Sequence, residues 1–303
     1  MPELPEVETI ARGLAKRVSG DVIESIWFGE KPEPLKSSPH EIAAAVENTR
    51  ILAVRRVGKH IVFDLERNSR GDRRKRALLS AHGLKAKLPR KGSGLPRQET
   101  LPPAHSQFIV HLGMTGRLQV CDPQSEILKH THAIAKLASG RELRFVDPRR
   151  FGRLSVAAAG DFAAAGIEPF EADLDGFTGL FRGRKTPIKS ALLNQALLRG
   201  VGNIYADESL FRAGIRPRRR ASAITREQLA KLFTSVQEVL REAIALGGSS
   251  ISDYVDADGE EGFFQLKHRV YGREGKPCTR CKTAIKRIVI AGRSSHYCPK
   301  CQS

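Results

Sequence analysis

The chain has 303 residues, 40% of them hydrophobic, which suits two medium domains better than one small core. No run of about 18 apolar residues is present, so no membrane span is expected, and the acidic, proline-bearing start Met1-Pro2-Glu3-Leu4-Pro5-Glu6 does not fit a secretory signal. The formal charge is +18; such an excess attracts polyanions and points to nucleic acid, the alternative being a basic protein kept soluble by its charge.

Val7, Ile10, Ala11, Leu14 and Val18 recur at helical spacing and predict a first helix from Val7 to Val18. Val22 to Phe28 reads as a strand. Ser38-Pro39 is a cap followed by proline at the first helical position, opening a helix through Ala45. Ile51 to Val57 and His60 to Leu65 form a predicted hairpin around Gly58. Residues 67–106 hold eleven Lys or Arg against Asp72 and Glu99. This segment has no periodic apolar pattern and reads as an inserted loop, either a DNA-tracking arm or a tolerated insertion. Phe108 to His111 and Arg117 to Val120 flank the turn Gly113-Met114-Thr115-Gly116, and Ala133 to Leu137 with Leu143 to Val146 flank Ser139-Gly140, a hairpin signal.

After about residue 160 the pattern becomes helical. Thr186-Pro187 opens a helix with Ile188, Leu192, Leu193 and Leu197 apolar, and Gly200-Val201-Gly202-Asn203 breaks it. A second helix runs from Ile204 to Ala213 and stops at Gly214. Thr225 with Gln228 makes a capping box for a third, which ends near Gly247-Gly248. From Val270 the chain reads as short strands carrying cysteine pairs.

Three groups of residues suggest chemistry. Cys278-x-x-Cys281 and Cys298-x-x-Cys301 have the spacing of a tetrahedral thiolate site, for which zinc is suited. Four protein ligands leave no open position, so the metal would be structural; two disulfides are the alternative. Lys282, Lys286, Arg287 and Arg293 between the pairs suit phosphate contact, and Cys121 reads as an ordinary thiol. The glycines of Gly200-Val201-Gly202-Asn203 would let a phosphate reach helix amides, or make a plain turn. Removal of Met1 would expose the secondary amine of Pro2. A neutral fraction of such an amine can attack an aldehyde-like carbon and give an iminium, an electron sink. Glu3 and Glu6 stand beside it as proton donors or acceptors, or as first-turn residues that complement the helix dipole.

Together these features resemble the bacterial formamidopyrimidine-DNA glycosylase (Fpg/MutM) family. The resemblance rests on Pro2-Glu3-Leu4-Pro5-Glu6-Val7-Glu8-Thr9, His111-Leu112-Gly113-Met114-Thr115-Gly116, Asp147-Pro148-Arg149-Arg150-Phe151-Gly152, Gly200-Val201-Gly202-Asn203-Ile204-Tyr205-Ala206, and Val270-Tyr271-Gly272-Arg273 followed by the four cysteines. It spans nearly the whole chain except residues 67–106. It implies Pro2 as the nucleophile, Glu3 as the general acid for sugar-ring opening, and Glu6 as a supporting carboxylate. It also implies that Lys59, His111, Asn203 and Arg293 bind phosphates at the lesion, and that Lys189 lies near the damaged strand. Met114, Arg149 and Phe151 resemble the family's wedge, which fills the stack when a nucleotide is extruded. Gly248-Ser249-Ser250-Ile251-Ser252-Asp253-Tyr254 resembles its base-recognition loop.

The expected architecture is α+β. A β-sandwich-like domain with a leading helix would occupy 1–155. A helical domain with a helix–two-turn–helix would occupy 156–262, and a zinc finger 263–303. The resemblance implies a bifunctional DNA glycosylase/AP lyase acting on duplex DNA with oxidised purines, one structural zinc and no diffusible cofactor. A cytoplasmic, nucleoid-associated monomer is expected. The sister endonuclease VIII-like enzymes prefer oxidised pyrimidines; Leu4 and the Met114–Arg149–Phe151 set favour the purine branch. A zinc-ribbon DNA-binding protein without activity is the other rival, against which intact Pro2 and Glu3 speak.

Overall fold

The structure is a computed structural model that describes residues 2–67, 104–250 and 262–303. Most of the basic insertion and residues 251–254 of the expected recognition loop lie outside the described residues.

The leading helix α1 spans Leu4–Val18, three residues earlier than the apolar stripe indicates. Pro5 can sit in a first turn because that turn needs no amide. The Glu3 amide donates to Glu6 Oε2 at 2.8 Å, which caps the end. β1 (Val22–Phe28) and α2 (Pro39–Val46) follow. In α2, Ser38 and Glu41 form the reciprocal capping box. β2 (Thr49–Val57) and β3 (His60–Arg67) make the expected hairpin, with Val57 opposite His60. Gly58 takes φ +60° in its two-residue turn, which leaves Lys59 at the tip.

The remaining strands are β4 (His105–His111), β5 (Arg117–Cys121), β6 (Thr131–Leu137), β7 (Glu142–Val146) and β8 (Arg153–Ala158). They join one antiparallel sheet in the order β5-β7-β6-β1-β2-β3-β4-β8. β1 meets β2 only through Val22 opposite Arg50 and Ile23 opposite Thr49. The sheet splays there, and its two halves share one core with α1: Leu118 and Phe145 from one half lie with Phe63, Val110 and Leu154 from the other. This gives the sandwich-like domain. β4 and β5 are not a hairpin. Both edges of β4 are taken by β3 and β8, so the turn after His111, closed by Gly116 N to Leu112 O at 2.9 Å, carries the chain to the far edge of the sheet. β8 has no counterpart among the expected elements, and it runs past residue 155.

The second part holds α3 (Leu174–Gly179), α4 (Ile188–Leu193), α5 (Asn203–Ala213) and α6 (Arg226–Ala245). α3 is likewise an addition to the expected elements. α5 ends at Gly214 in the left-handed region, and α6 begins with the Thr225–Gln228 capping box. β9 (Lys286–Ile290) and β10 (Arg293–Tyr297) form the terminal hairpin.

Leu4 decides how the parts meet. It is fully buried in the helical core with Tyr205, Leu210 and Val201, whereas Val7, Ile10 and Leu14 of the same helix lie in the β core. One helix therefore spans both cores, and its first turn lies at their junction. A buried ion network reinforces the joint: Arg56 bonds Glu8 at 2.7 Å and Glu168 at 2.7 Å, and Arg199 also reaches Glu168 at 3.2 Å. Truncating Leu4 to alanine should cost about 2–5 kcal/mol, the usual range for a fully buried leucine.

Candidate active site and nucleic-acid interface

The first turn of α1 carries the two candidate carboxylates into the junction. Glu3 is 4% exposed. Its Oε1 accepts the Ile204 amide at 3.1 Å at the start of α5, and its Oε2 has no hydrogen-bond partner among the described residues. The glycine turn fits around it. A Cβ on Gly202 would lie 2.2 Å from the Glu3 carboxyl carbon, and Leu4 N donates to Gly200 O at 3.0 Å. The Gly200-Val201-Gly202 turn thus has a specific use here: it admits a carboxyl group where any side chain would collide. Burial raises the Glu3 pKa to about 7, opposed by the positive charge of Lys59 and reinforced by the negative charge of Glu6.

Glu6 is buried as well. Its Oε1 accepts from the Tyr205 hydroxyl and from the Ser249 amide at 2.8 Å. Burial pushes its pKa up, and the Tyr205 hydroxyl and these amides restrain the rise. Gly248 takes φ +84° against it, and a Cβ there would lie 2.9 Å from the Glu6 side chain. Pro2 is buried at the head of this turn. Lys59 approaches from the β2–β3 turn, 8% exposed. Burial lowers its pKa, while Glu3 and Glu6 hold it up and Arg293 lowers it further. Arg293 is the first residue of β10, at the exposed hairpin tip. The junction therefore gathers Pro2, Glu3, Glu6, Lys59 and Arg293 from sequence positions nearly 300 apart. Asn203 starts α5 beside them, with its side chain against the Tyr271 hydroxyl.

His111 stands next to this group at the end of β4. Its Nδ1 accepts the Gly113 amide at 3.1 Å, so the proton of its neutral ring belongs on Nε2, free to donate. Burial, with His60 and Lys59 nearby, lowers its pKa to about 4. It is a neutral donor at pH 7.

Met114 and Phe151 are exposed, at 39% and 47%, and Arg149 lies over the Phe151 ring at 4.9 Å. The loops that carry them are stapled together by buried Asp147, which accepts from Thr115 Oγ1 at 2.6 Å and Gly152 N at 2.7 Å. The three side chains expected to form a wedge thus stand on one rigid pair of loops.

Lys189 lies within electrostatic reach of Glu3 and Arg293. It is fully buried, with its ammonium on Asp207 at 2.7 Å and on Ser294 O at 2.6 Å. In this structure it offers no surface to a strand; it ties α4 and α5 to the terminal hairpin. Sequence reading also assigns no role to Tyr205, Asp207 and Glu208. Asp207 accepts Ser295 Oγ at 3.0 Å and the His296 amide at 2.8 Å. Glu208 accepts the amides of Arg269, Val270 and Tyr271. The available signal is an acidic pair inside a helix between apolar residues, where charge must be paired.

The sulfurs of Cys278, Cys281, Cys298 and Cys301 all lie within 4.8 Å of one another, with Cys281–Cys298 at 3.5 Å and Cys278–Cys301 at 3.9 Å. A tetrahedron with Zn–S of about 2.3 Å has edges of about 3.8 Å, so the cluster fits one structural zinc. The Arg280 and Cys301 amides donate to Cys278 and Cys298 sulfurs, both at 3.4 Å, as expected for ligands that carry thiolate charge.

Comparison with known proteins agrees with this arrangement. Residues 1–154 match the formamidopyrimidine-DNA glycosylase N-terminal domain, residues 165–255 the H2TH domain of the same glycosylases, and residues 275–303 the zinc finger found in FPG and IleRS. The chain is 42% identical over 306 residues to a formamidopyrimidine-DNA glycosylase of Solibacter usitatus, covering all of this chain and 99% of that one. The crystal structure of the Thermus thermophilus MutM (FPG) protein superposes with a TM-score of 0.78 at 38% identity, covering 99% of this chain and 98% of that one. Lactococcus lactis Fpg in complex with abasic-site DNA superposes at 0.80 with 30% identity, covering 99% of each chain. The buried carboxylates, the stapled loops and the four-cysteine finger stand in a chain that belongs to the formamidopyrimidine-DNA glycosylase family, a family of DNA glycosylases.

Proposed function

We propose that this enzyme excises oxidised purines, 8-oxoguanine and formamidopyrimidines, from duplex DNA. It then nicks the strand by β- and δ-elimination through a Schiff base on Pro2. The observation that carries the reading is Glu3. It is a buried carboxyl with a pKa near 7, one residue from the N-terminal amine and facing Lys59, so a large fraction of it carries a proton at neutral pH where an acid is needed.

The steps follow from these groups. With Met1 removed, the Pro2 nitrogen attacks C1′ of the extruded nucleotide, the C1′–N bond to the base breaks, and the proton lost from the Pro2 nitrogen goes to the departing base. Glu3 gives its proton to O4′ as the sugar ring opens, and the C1′–N bond to Pro2 becomes an iminium. The iminium accepts electrons as a C2′ proton leaves, which expels the 3′ phosphate. A second elimination expels the 5′ phosphate. Lys59 and Arg293 are the cations for the phosphates at the lesion, with the His111 N–H as an uncharged donor. Met114, Arg149 and Phe151 fill the vacated stack. The zinc supports the finger and takes no part in bond changes. The enzyme acts as a monomer in the bacterial cytoplasm, associated with the nucleoid.

The test is borohydride trapping on a duplex with 8-oxoguanine opposite cytosine, using the wild type, Pro2→Gly and Glu3→Gln. An adduct mapped to Pro2 in the wild type, absent from Pro2→Gly, supports the reading. A wild type that binds zinc, lacks Met1 and gives neither adduct nor nick refutes it. Preference for thymine glycol in a lesion panel would move the enzyme to the pyrimidine branch.

A further inference from the structure

We propose that Lys36, His60 and Arg153, together with His111, form a second phosphate seat on the β domain, one step along the DNA strand from the phosphate at Lys59. The proposal rests on the reading of this chain as a DNA-binding enzyme and adds residues to its interface.

His60 pairs with His111 across β3 and β4, and His111 pairs with Arg153 across β4 and β8. Residues paired in register on antiparallel strands face the same side of a sheet. The three side chains therefore form a row across three strands, about 10 Å long at the usual strand spacing. One end adjoins Lys59 in sequence. The other adjoins Gly152, the last residue of the loop that carries Arg149 and Phe151. A strand running from the catalytic junction toward those loops would pass over the row.

The row lines a cavity of about 330 Å³, closed by Lys36, Ile109, Ser155 and Phe162. No carboxylate lines it. Arg55 has Asp64 in contact, and Arg56 has Glu8 and Glu168; Arg153, like Arg117 and Arg149, has no acid in contact among the described residues. Arg153 is held by Nη1 alone, which donates to Arg150 O at 3.1 Å and Gly152 O at 2.7 Å. Among the described residues its Nε and Nη2 have no partner. Lys36 is fixed through its amide on Leu154 O at 2.8 Å, with its side chain exposed. The His60 ring sits 4.9 Å from His111 and 5.1 Å from Phe162, and burial lowers its pKa. Two cations without acids, beside two imidazoles held neutral, suit a phosphodiester: the cations supply charge, and the Ser155 hydroxyl supplies a hydrogen bond.

The experiment measures affinity for a duplex with an abasic-site analogue as a function of KCl, for the wild type, Lys36→Gln, Arg153→Gln and the double variant. Lys231→Gln, on α6 and paired with Glu227, is the charge-matched control. Losing one neutralised phosphate flattens the slope of log K against log salt by about 0.9. The seat predicts a flattening of about 0.9 for the double variant and part of that for Lys36→Gln, with none for the control. Arg153→Gln also removes two loop bonds, so Lys36→Gln is the cleaner arm. A double variant with the wild-type slope overturns the seat and leaves the enzyme reading intact. A wild type without affinity for the duplex overturns both.

Discussion

Replacing Glu3 by glutamine should stabilise the protein while abolishing excision, and the gain should depend on pH. The side chain is 4% exposed, and its pKa rises from 4.5 to about 7 on folding. The sign follows from linkage. A group whose folded pKa exceeds its unfolded value contributes stability that is fully present below the unfolded pKa. That stability is lost as pH rises through the folded one. Ionised Glu3 therefore burdens the native state increasingly between pH 4.5 and about 7. The full cost is about 3 kcal/mol, of which roughly 2 is reached at pH 6 and nearly all at pH 8.5. Glutamine keeps the shape and does not ionise. The advantage of Glu3→Gln over the wild type, measured by urea denaturation with zinc present, should grow by about 1 kcal/mol from pH 6 to pH 8.5. Excision by the wild type should decline as pH rises through about 7. A pH-independent difference between the two proteins would mean that Glu3 has an ordinary pKa, and the assignment of the acid would lose its support.

Three further outcomes are expected. Gly202→Ala puts a methyl group 2.2 Å from the Glu3 carboxyl carbon; excision should fall at least a hundredfold in single-turnover assays, while circular dichroism stays near wild type. Lys189→Met leaves the Asp207 carboxylate buried without its cation and should cost about 3–5 kcal/mol, seen as a lower midpoint in denaturant and faster zinc release to a chelator. Cys298→Ser opens the thiolate cluster; zinc content by atomic absorption should fall to near zero and duplex binding by anisotropy should be abolished, with the far-ultraviolet signature of the β domain retained.

Much of the fold is legible in the sequence because its signals are local. The α1 stripe, the Ser38-Pro39 and Thr225–Gln228 caps, and the Gly58 turn each depend on residues a few positions apart. The zinc ligands are legible for the same reason, since each cysteine pair closes within one turn. β8 escapes such reading because Arg153–Ala158 has a single buried residue, Leu154, and gains its place from β4, more than forty residues away. The turn between β4 and β5 is legible as well, but which strands pair across it is decided by the partners already flanking β4.

The candidate site divides along the same line, and Lys189 shows why. Its residue type and neighbourhood suit a phosphate contact. Its actual partner, Asp207, lies on the next helix and looks from sequence like a surface acid. Only the packing of α5 against the terminal hairpin makes both of them buried and mutually dependent. Tyr205 is hidden in the same way: it faces Glu6 from the opposite domain. Residues of α5 thus hold each neighbour in turn: the Ile204 amide holds Glu3, Tyr205 holds Glu6, and Asp207 and Glu208 hold the finger. Because α1 is buried in both cores and α5 bonds both carboxylates and the finger, no single domain assembles this site. Its chemistry depends on the joint between them, and that dependence is why a substitution at a fully buried tie such as Lys189→Met should reach the active centre.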